Sequence, residues 1–311
     1  MPIAASGLCH NSLAGTHPGA PWTGRGLDAV RATYDIRDLA LVAAHVNPAY
    51  RVGRRVPGAP AWKGEHPMRI VRAKDYQDMS RKAANIISAQ VILNPEAKLG
   101  LATGTTPIGA YDQLARWNAK GDCDFAHVQT FNLDEYRGLS HDDPQSYHYF
   151  MRDKFFNHIN IDLANTHVPD GSNLDADAAC AEYDALVKGV GYVDLQLLGI
   201  GNNGHIGFNE PDGHFSKGTH CVNLTESTIK ANSRLFEREE DVPRQAYTMG
   251  VQTIMMARSI LVVANGPKKA QAVYDMIYGP VTPSCPASIL QLHTNCTVVA
   301  DEEALALCPQ E

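Results

Sequence analysis

The chain has 311 residues, of which 44% are hydrophobic, and it carries a formal net charge of -7 with a sequence pI near 6.0. This length allows one large α/β domain or two smaller ones. The charge pattern excludes the basic footprint of a nucleic-acid-binding protein, and no apolar run is long enough to suggest a membrane span. The N-terminus has no basic patch followed by an apolar run, so export is not expected.

The cysteines point to a reducing compartment. There are seven, an odd number, and none forms a CxxC pair. This pattern argues against a zinc site and against a disulfide framework, and it favours reduced thiols in a cytoplasmic protein.

Residues 1–67 differ from the rest of the chain. They hold 8 Gly and 7 Pro, and they have 6 Arg but only 1 Lys. The closely spaced Gly and Pro residues would interrupt any long helix or strand. We expect them to form a disordered N-terminal extension that is not part of the functional enzyme. Met68 opens a clean strand and is a candidate for the true start, and residues 68–311 are expected to form a single α/β domain.

From residue 68 onward, short apolar runs alternate with helical patterns. This alternation predicts a largely parallel, doubly wound open sheet with helices on both faces, which is a Rossmann-like α/β fold. The predicted strands are residues 68–71, 99–103, 128–133, 193–200, 259–265 and 297–300. The predicted helices are residues 75–93, 107–118, 146–157, 175–190 and 268–278.

Ligands bind such sheets at the carboxyl ends of the strands, so the loops there are the first places to search for function. Residues 103–107 (Thr-Gly-Thr-Thr-Pro) follow a strand and open a helix. Their backbone N–H groups and Thr hydroxyls suit an anion, although on this motif alone an ordinary Gly turn with a Thr cap is the more common case. Asp134 and Glu135 end the next apolar strand, where a carboxylate can act as a general base or simply cap a helix.

The loop at residues 199–211 (Gly-Ile-Gly-Asn-Asn-Gly-His-Ile-Gly-Phe-Asn-Glu-Pro) is the densest polar segment after a buried strand. Its four glycines permit close approach of the backbone to a ligand. His205 is suited to moving protons near neutral pH, and Glu210 could orient it or carry a proton itself. A lone histidine in such a place is more often structural.

Two cations complete the set of candidates. Arg234 lies in a polar helical stretch, and Lys269 lies at a predicted helix start, where a cation is mildly unfavourable against the helix dipole. A bound anion would relieve that cost. For each residue taken alone, a solvated surface charge is the usual case.

Together these motifs resemble the glucosamine-6-phosphate deaminase family. The resemblance rests on residues 102–107, 130–139, 199–211, 231–234 and 266–270, and it covers nearly everything after Met68 and nothing before it. The run at residues 204–211, Gly-His-Ile-Gly-Phe-Asn-Glu-Pro, is highly specific. The related 6-phosphogluconolactonases share the fold and a Gly-His element but not the Phe-Asn-Glu-Pro ending.

The resemblance implies that glucosamine 6-phosphate and water become fructose 6-phosphate and ammonia, without a metal or an organic cofactor. It implies that His205, assisted by Glu210, opens the sugar ring, and that Asp134 moves a proton from C2 to C1. Asn203 is implied to hold the imidazole of His205. The substrate phosphate is implied to bind to Thr103, Gly104, Thr105, Thr106, Arg234 and Lys269.

Two features, at three positions, depart from some members of the family. Asn203 stands where some have an aspartate in a charged relay, and it can hold the imidazole but cannot titrate. His220 and Val222 stand where members activated by N-acetylglucosamine 6-phosphate carry Arg and Lys. We therefore expect catalysis without that activation.

Several readings stay open on sequence alone. A galactosamine-6-phosphate deaminase or isomerase would show the same motifs. A non-catalytic sugar-phosphate-sensing domain would share the fold, although the intact set of Asp134, His205 and Glu210 favours catalysis. The sensor reading is disfavoured because residues 1–67 show no helix-turn-helix pattern. We expect a small-molecule substrate, no nucleic-acid or membrane partner, and either a monomer or a homo-oligomer. Residues 225–238 are expected to form a helical lid over the sugar.

Overall fold

A seven-stranded sheet, parallel throughout, forms the centre of the computed structural model, which describes residues 68–226, 229–230, 238 and 242–309. The strands are β1 (Met68–Ala73), β2 (Lys98–Leu101), β3 (Gln129–Asn132), β5 (Thr166–His167), β6 (Leu195–Leu198), β9 (Ile260–Ala264) and β10 (Cys296–Asp301). Across the sheet they lie in the order β1-β10-β9-β6-β2-β3-β5. The predicted parallel α/β class is confirmed. Residues 1–67, which were expected to be a disordered extension, lie outside the described residues. So do Arg234 and most of the proposed lid at residues 225–238.

Six α-helices connect or flank these strands within the described part of the chain. They are α1 (Tyr76–Leu93), α2 (Ile108–Ala119), α3 (Tyr147–Lys154), α4 (Ala176–Gly189), α5 (Val251–Met255) and α6 (Ala270–Tyr278). Side-chain caps fix three of the starts, because Asp75, Ser146 and Asp175 each accept a backbone N–H from the first turn. The five helices predicted from sequence are present, with boundaries within a few residues. None of the described helices is long and apolar enough to cross a membrane.

The sheet separates two hydrophobic cores, which explains the near-continuous apolar runs of its strands. On β9, Leu261 and Val263 pack into the core that contains α1, α2 and α3, whereas Ile260 and Val262 pack into the core that contains α4, α5 and α6. Successive residues of a strand face opposite sides, so a strand that is covered on both faces is apolar throughout.

The direction of the chain connections reverses between the adjacent strands β2 and β6. From β2 the chain moves outward to β3 and β5, and from β6 it moves the other way to β9 and β10. The loops after β2 and β6 therefore lead away from each other and leave a crevice at the carboxyl edge of the sheet. In open α/β sheets such a switch point is where ligands bind.

A second, three-stranded sheet lies beside the first and was not predicted from sequence. It is antiparallel, with the order β4 (Asp134–Tyr136), β8 (Gln245–Thr248) and β7 (His220–Asn223). β4 begins two residues after β3 ends, so the chain passes directly from the parallel sheet into this one. Asp134 therefore sits at the junction of the two sheets.

Candidate active site

A cavity of about 250 Å³ lies at the switch point of the parallel sheet. It brings together loops whose lining residues lie up to 167 positions apart in the chain, from Ala102 to Lys269. These loops were predicted from sequence to lie at one edge of the sheet. Its lining comprises Ala102, Thr103, Gly104, Thr105, Thr106, Pro107, Leu133, Asp134, Gly199, Ile200, Gly201, His205, Gly207 and Lys269. Seven of the ten residues proposed from sequence are therefore in one place: Thr103, Gly104, Thr105, Thr106, Asp134, His205 and Lys269.

The loop after β2 forms one wall of this cavity and leads into α2. Gly104 has φ of +107°, a backbone conformation that favours glycine. The hydroxyl of Tyr76 holds the loop from behind, since it donates to Thr105 O at 3.1 Å and accepts from Gly109 N at 2.9 Å. The N-terminus of α2 and the preceding small residues present the partial positive charge that suits a phosphate.

Thr106 also joins this loop to the loop after β9. Its Oγ1 lies 3.0 Å from Oδ1 of Asn265, in a hydrogen bond between residues 159 positions apart. The hydroxyl proton of Thr106 is thereby directed at Asn265, so the direct donors of this loop toward the cavity are the backbone N–H groups and the other two threonines. Asn265 was not singled out from sequence, although it is a polar residue at the end of a buried strand.

Lys269 faces the same cavity from the opposite side. It ends a 3₁₀ turn (Pro267–Lys269) and directly precedes α6. Gly266, with φ of +83°, anchors this turn by donating its N–H to both carboxylate oxygens of Asp301, each at 3.0 Å. Burial lowers the pKa of Lys269, because a desolvated ammonium group is unfavourable without a partner. An anion in the cavity would supply that partner.

Asp134 is the carboxylate of the cavity. Its side chain is 6% exposed, and the pKa of this group is raised to about 8, chiefly by burial and secondarily by the negative charge of Glu135. A carboxyl group with a pKa near neutrality is a stronger base than an exposed aspartate, which suits the removal of a proton from carbon.

Glu135, the second acid of the pair, points away from the cavity and is 1% exposed. Its Oε1 accepts the N–H of Tyr136 at 2.8 Å and that of Tyr147 at 2.9 Å, and its Oε2 accepts the N–H of His148 at 2.9 Å. Burial raises the pKa of Glu135 to about 7, while these three donors oppose that shift. Glu135 therefore ties β4 to the first turn of α3, as a helix cap does.

The imidazole of His205 lies over Gly201, where a Cβ atom would come within 2.4 Å of the ring. Only glycine leaves room for the ring there. Nδ1 of His205 lies 3.3 Å from Oε2 of Glu210, and this contact is electrostatic because Nδ1 makes no aligned hydrogen bond with the described residues. A carboxylate beside Nδ1 favours the tautomer that carries its proton there, which leaves Nε2 free to accept one.

Asn203 links the two ends of this arrangement. Its Nδ2 donates to Oε2 of Glu210 at 2.6 Å, and its Oδ1 accepts the backbone N–H of His205 at 3.2 Å. The amide thus holds His205 through its backbone and Glu210 through its carboxylate. Neither Asn203 nor Glu210 lines the 250 Å³ cavity, so their contact with a ligand there is indirect.

Glu210 instead borders a larger cavity of about 780 Å³ on the other side of the loop. Phe208, Asn209, His214, Lys217 and His220 also line it. The smaller cavity brings together the Asp134 carboxylate, the His205 imidazole and the Lys269 ammonium group, so it is the candidate site for chemistry. No cluster of three or more His, Cys, Asp or Glu side chains suited to a metal occurs in the part of the chain that the structure describes.

Known proteins resemble this chain over most of its described residues. The sequence pattern of the family described as glucosamine-6-phosphate isomerases/6-phosphogluconolactonase matches residues 72–299. A glucosamine-6-phosphate deaminase of Lachnoclostridium phytofermentans is 59% identical over 232 residues, which is 75% of this chain and 98% of that protein. A glucosamine-6-phosphate deaminase of Halothermothrix orenii is 50% identical over 240 residues, covering 77% of this chain and all of that protein.

Solved structures show the same fold. That of a monomeric glucosamine-6-phosphate deaminase superposes with a TM-score of 0.75 at 45% identity, covering 77% of this chain and 100% of that one. A 6-phosphogluconolactonase from Trypanosoma brucei superposes with a TM-score of 0.63 at 18% identity, covering 79% of this chain and 100% of that one. The second likeness concerns the fold alone.

Proposed function

The chain belongs to the glucosamine-6-phosphate isomerase/6-phosphogluconolactonase family, and we propose that within it the chain is a glucosamine-6-phosphate deaminase. The enzyme converts glucosamine 6-phosphate and water to fructose 6-phosphate and ammonia, a step of amino-sugar catabolism. The observation that carries this proposal is that one cavity joins an anion cradle, a buried carboxylate and an imidazole.

The substrate phosphate occupies the cradle between the loop after β2 and Lys269. Thr103, Gly104 and Thr105 supply donors from the α2 side, and Thr106 braces the loop through Asn265. Lys269 supplies the positive charge from the α6 side, and the phosphate restores the solvation that burial removed from its ammonium group. Arg234 is proposed as a further counter-charge, from a segment that the structure does not describe.

Ring opening is assigned to His205. Its Nε2 takes the proton from the C1 hydroxyl and returns it to the ring oxygen, which breaks the C1–O5 bond and leaves an aldehyde at C1. Glu210 stabilises the transient imidazolium through its contact with Nδ1, and Asn203 keeps the two groups in place.

Isomerisation and deamination follow on the open-chain sugar. The Asp134 carboxylate takes the proton from C2, and the C–H electron pair forms a C1–C2 double bond. The π electrons of the C1 carbonyl move to the aldehyde oxygen, which takes a proton from the protonated amino group at C2 and so leaves that nitrogen with a lone pair. Asp134 then delivers a proton to C1, and the nitrogen lone pair forms a C2=N bond. Water adds to C2 and ammonia leaves, which gives the ketone of fructose 6-phosphate.

The reaction is proposed to take place in the cytoplasm. The support for this proposal is the pattern of seven scattered cysteines without a CxxC pair, which favours reduced thiols.

The test of the proposed function is the release of ammonia from glucosamine 6-phosphate by the full-length protein, with fructose 6-phosphate measured in parallel. Equal rates for the two products are expected. Galactosamine 6-phosphate serves as the matched substrate that differs only at C4. Absence of both products with the gluco substrate would overturn the proposal, and turnover of the galacto substrate alone would reassign the sugar.

A further inference from the structure

The end of β8 supports both parts of the catalytic machinery. In the antiparallel sheet Thr248 is the direct cross-strand partner of Asp134 on one side and of His220 on the other. The following residue, Met249, donates its N–H to Leu133 O at 2.7 Å, immediately before Asp134. Pairing with β8 therefore fixes the position of β4, the strand that begins with Asp134.

The loop that carries His205 and Glu210 docks on the same strand end. The Thr248 side chain is 0% exposed, and its Oγ1 accepts the N–H of Phe208 at 3.0 Å. Asn209 adds a second anchor, since its Nδ2 donates to Met249 O at 2.9 Å. These two bonds attach the middle of the loop to β8 across about 40 residues of chain.

At Gly207 the loop approaches both the hydroxyl of Thr248 and the carboxylate of Asp134. A Cβ atom on this glycine would lie 2.9 Å from Oγ1 of Thr248 and 3.4 Å from Oδ2 of Asp134. Its φ of +58° is a conformation that favours glycine. The hydroxyl of Thr248 and the carboxylate of Asp134 thus lie against the same point of the loop.

We infer that Thr248 is a positioning residue, whose hydroxyl sets the spacing between the Asp134 carboxylate and the loop that carries His205. This inference rests on the proposed function, in which one sugar must meet both groups in turn. Thr248 itself does not line the cavity, so it acts through Phe208 and Gly207 rather than on the substrate. A small displacement between reacting groups is costly, because catalysis depends on the alignment of groups that are already close.

The test compares two substitutions in the full-length protein. T248V keeps the shape of the side chain and removes the acceptor of the Phe208 N–H, whereas T248S keeps the hydroxyl and removes the methyl group. T253V is the matched control for the general effect of a buried Thr→Val change, since Thr253 is buried in α5 outside the cavity. If T248V does not fold, T248A replaces it.

For T248V we expect kcat to fall by roughly 10- to 100-fold with KM nearly unchanged, because misplaced groups lose alignment while the phosphate cradle is untouched. For T248S we expect kcat within about threefold of the unmodified enzyme, since its hydroxyl can still accept the bond despite a freer χ1. T253V should retain full activity. Equal kcat values for T248V and T248S would overturn the inference, as would a T248V effect confined to the melting temperature.

A second readout separates this inference from the proposed function. The ring resonances of His205, assigned by their loss in H205A, should shift in T248V and stay in place in T248S and T253V, whatever the enzyme turns over. Unshifted resonances in T248V would overturn the positioning role. Failure of the unmodified enzyme to release ammonia would instead overturn the proposed function.

Discussion

The pH dependence of kcat/KM follows from the surroundings of Asp134. Its pKa is raised to about 8, and a general base acts only in its ionised form. With that pKa, about a tenth of the carboxyl groups are ionised at pH 7 and about a hundredth at pH 6. We therefore expect kcat/KM to rise about tenfold from pH 6 to pH 7 and to level off above pH 8, since this parameter reports the free enzyme.

The rise in kcat/KM between pH 6 and pH 8 is the acid limb of the pH profile. Two further features identify the group whose ionisation produces this limb. A protonated amino group on the bound substrate favours the ionised form of Asp134, so the acid limb of kcat should lie at lower pH than that of kcat/KM. Glu135 also raises the pKa of Asp134 through its charge. E135Q removes that charge and should move the acid limb of kcat/KM to lower pH, whereas E135D retains the charge and should leave the limb in place.

The assay is initial-rate ammonia release from pH 5.5 to pH 9.5 at constant ionic strength, with thermal unfolding recorded at each pH for each variant. A profile that stays flat between pH 6 and pH 8 would refute the assignment of the limb to Asp134. A shift to higher pH in E135Q would refute the role given to the neighbouring charge.

Three other substitutions or additions probe separate parts of the site. D134N should lower kcat by about 10²–10⁴-fold while competitive inhibition by inorganic phosphate stays the same, because only the base is removed; turnover within a few-fold of the unmodified enzyme would contradict this. K269M should raise KM by about 10- to 100-fold with a smaller change in kcat and no loss of thermal stability, because it removes a buried charge-assisted bond to the phosphate; an unchanged KM would place the phosphate elsewhere. Because His220 and Val222 replace the expected basic residues, N-acetylglucosamine 6-phosphate should leave KM for the substrate unchanged, and a clear fall in KM would contradict that expectation.

The parallel sheet could be predicted because its signal is local. Strands buried on both faces, such as β9, are continuous apolar runs, and each is separated from the next by a helical pattern. The fold then places every loop that follows a strand at one edge. Asp134, His205 and Lys269 could be assigned to a common site for that reason alone.

The antiparallel sheet could not be predicted, because its strands are defined by pairing between distant segments. β4 has only three residues, and the four residues of β7 are all partly exposed, so neither shows a clear alternation of polar and apolar side chains. The role inferred for Thr248 depends on this pairing and on a bond to Phe208 40 residues away. Such contacts have no signature in the local sequence.

The separate directions of Asp134 and Glu135 did have a signal in the sequence. Successive side chains of a strand face opposite sides, so only one of two adjacent acids can point at a given site. The structure places Asp134 in the cavity and turns Glu135 toward the start of α3. The alternation of side chains along a strand could have predicted the separation, although the sequence-based prediction did not use it, and the helix that receives the second acid is evident only from the fold.

In the proposed reaction the hydrogen at C2 of the substrate moves before ammonia is released. The most direct measurement uses glucosamine 6-phosphate deuterated at C2 and follows the label by NMR in the products of the full-length enzyme. We expect fructose 6-phosphate equimolar with ammonia, with the deuterium transferred to C1 or lost to water, and with label movement in D134N slowed by the same factor as its kcat. Deuterium retained on C2 of a product formed together with ammonia would overturn the proposed function.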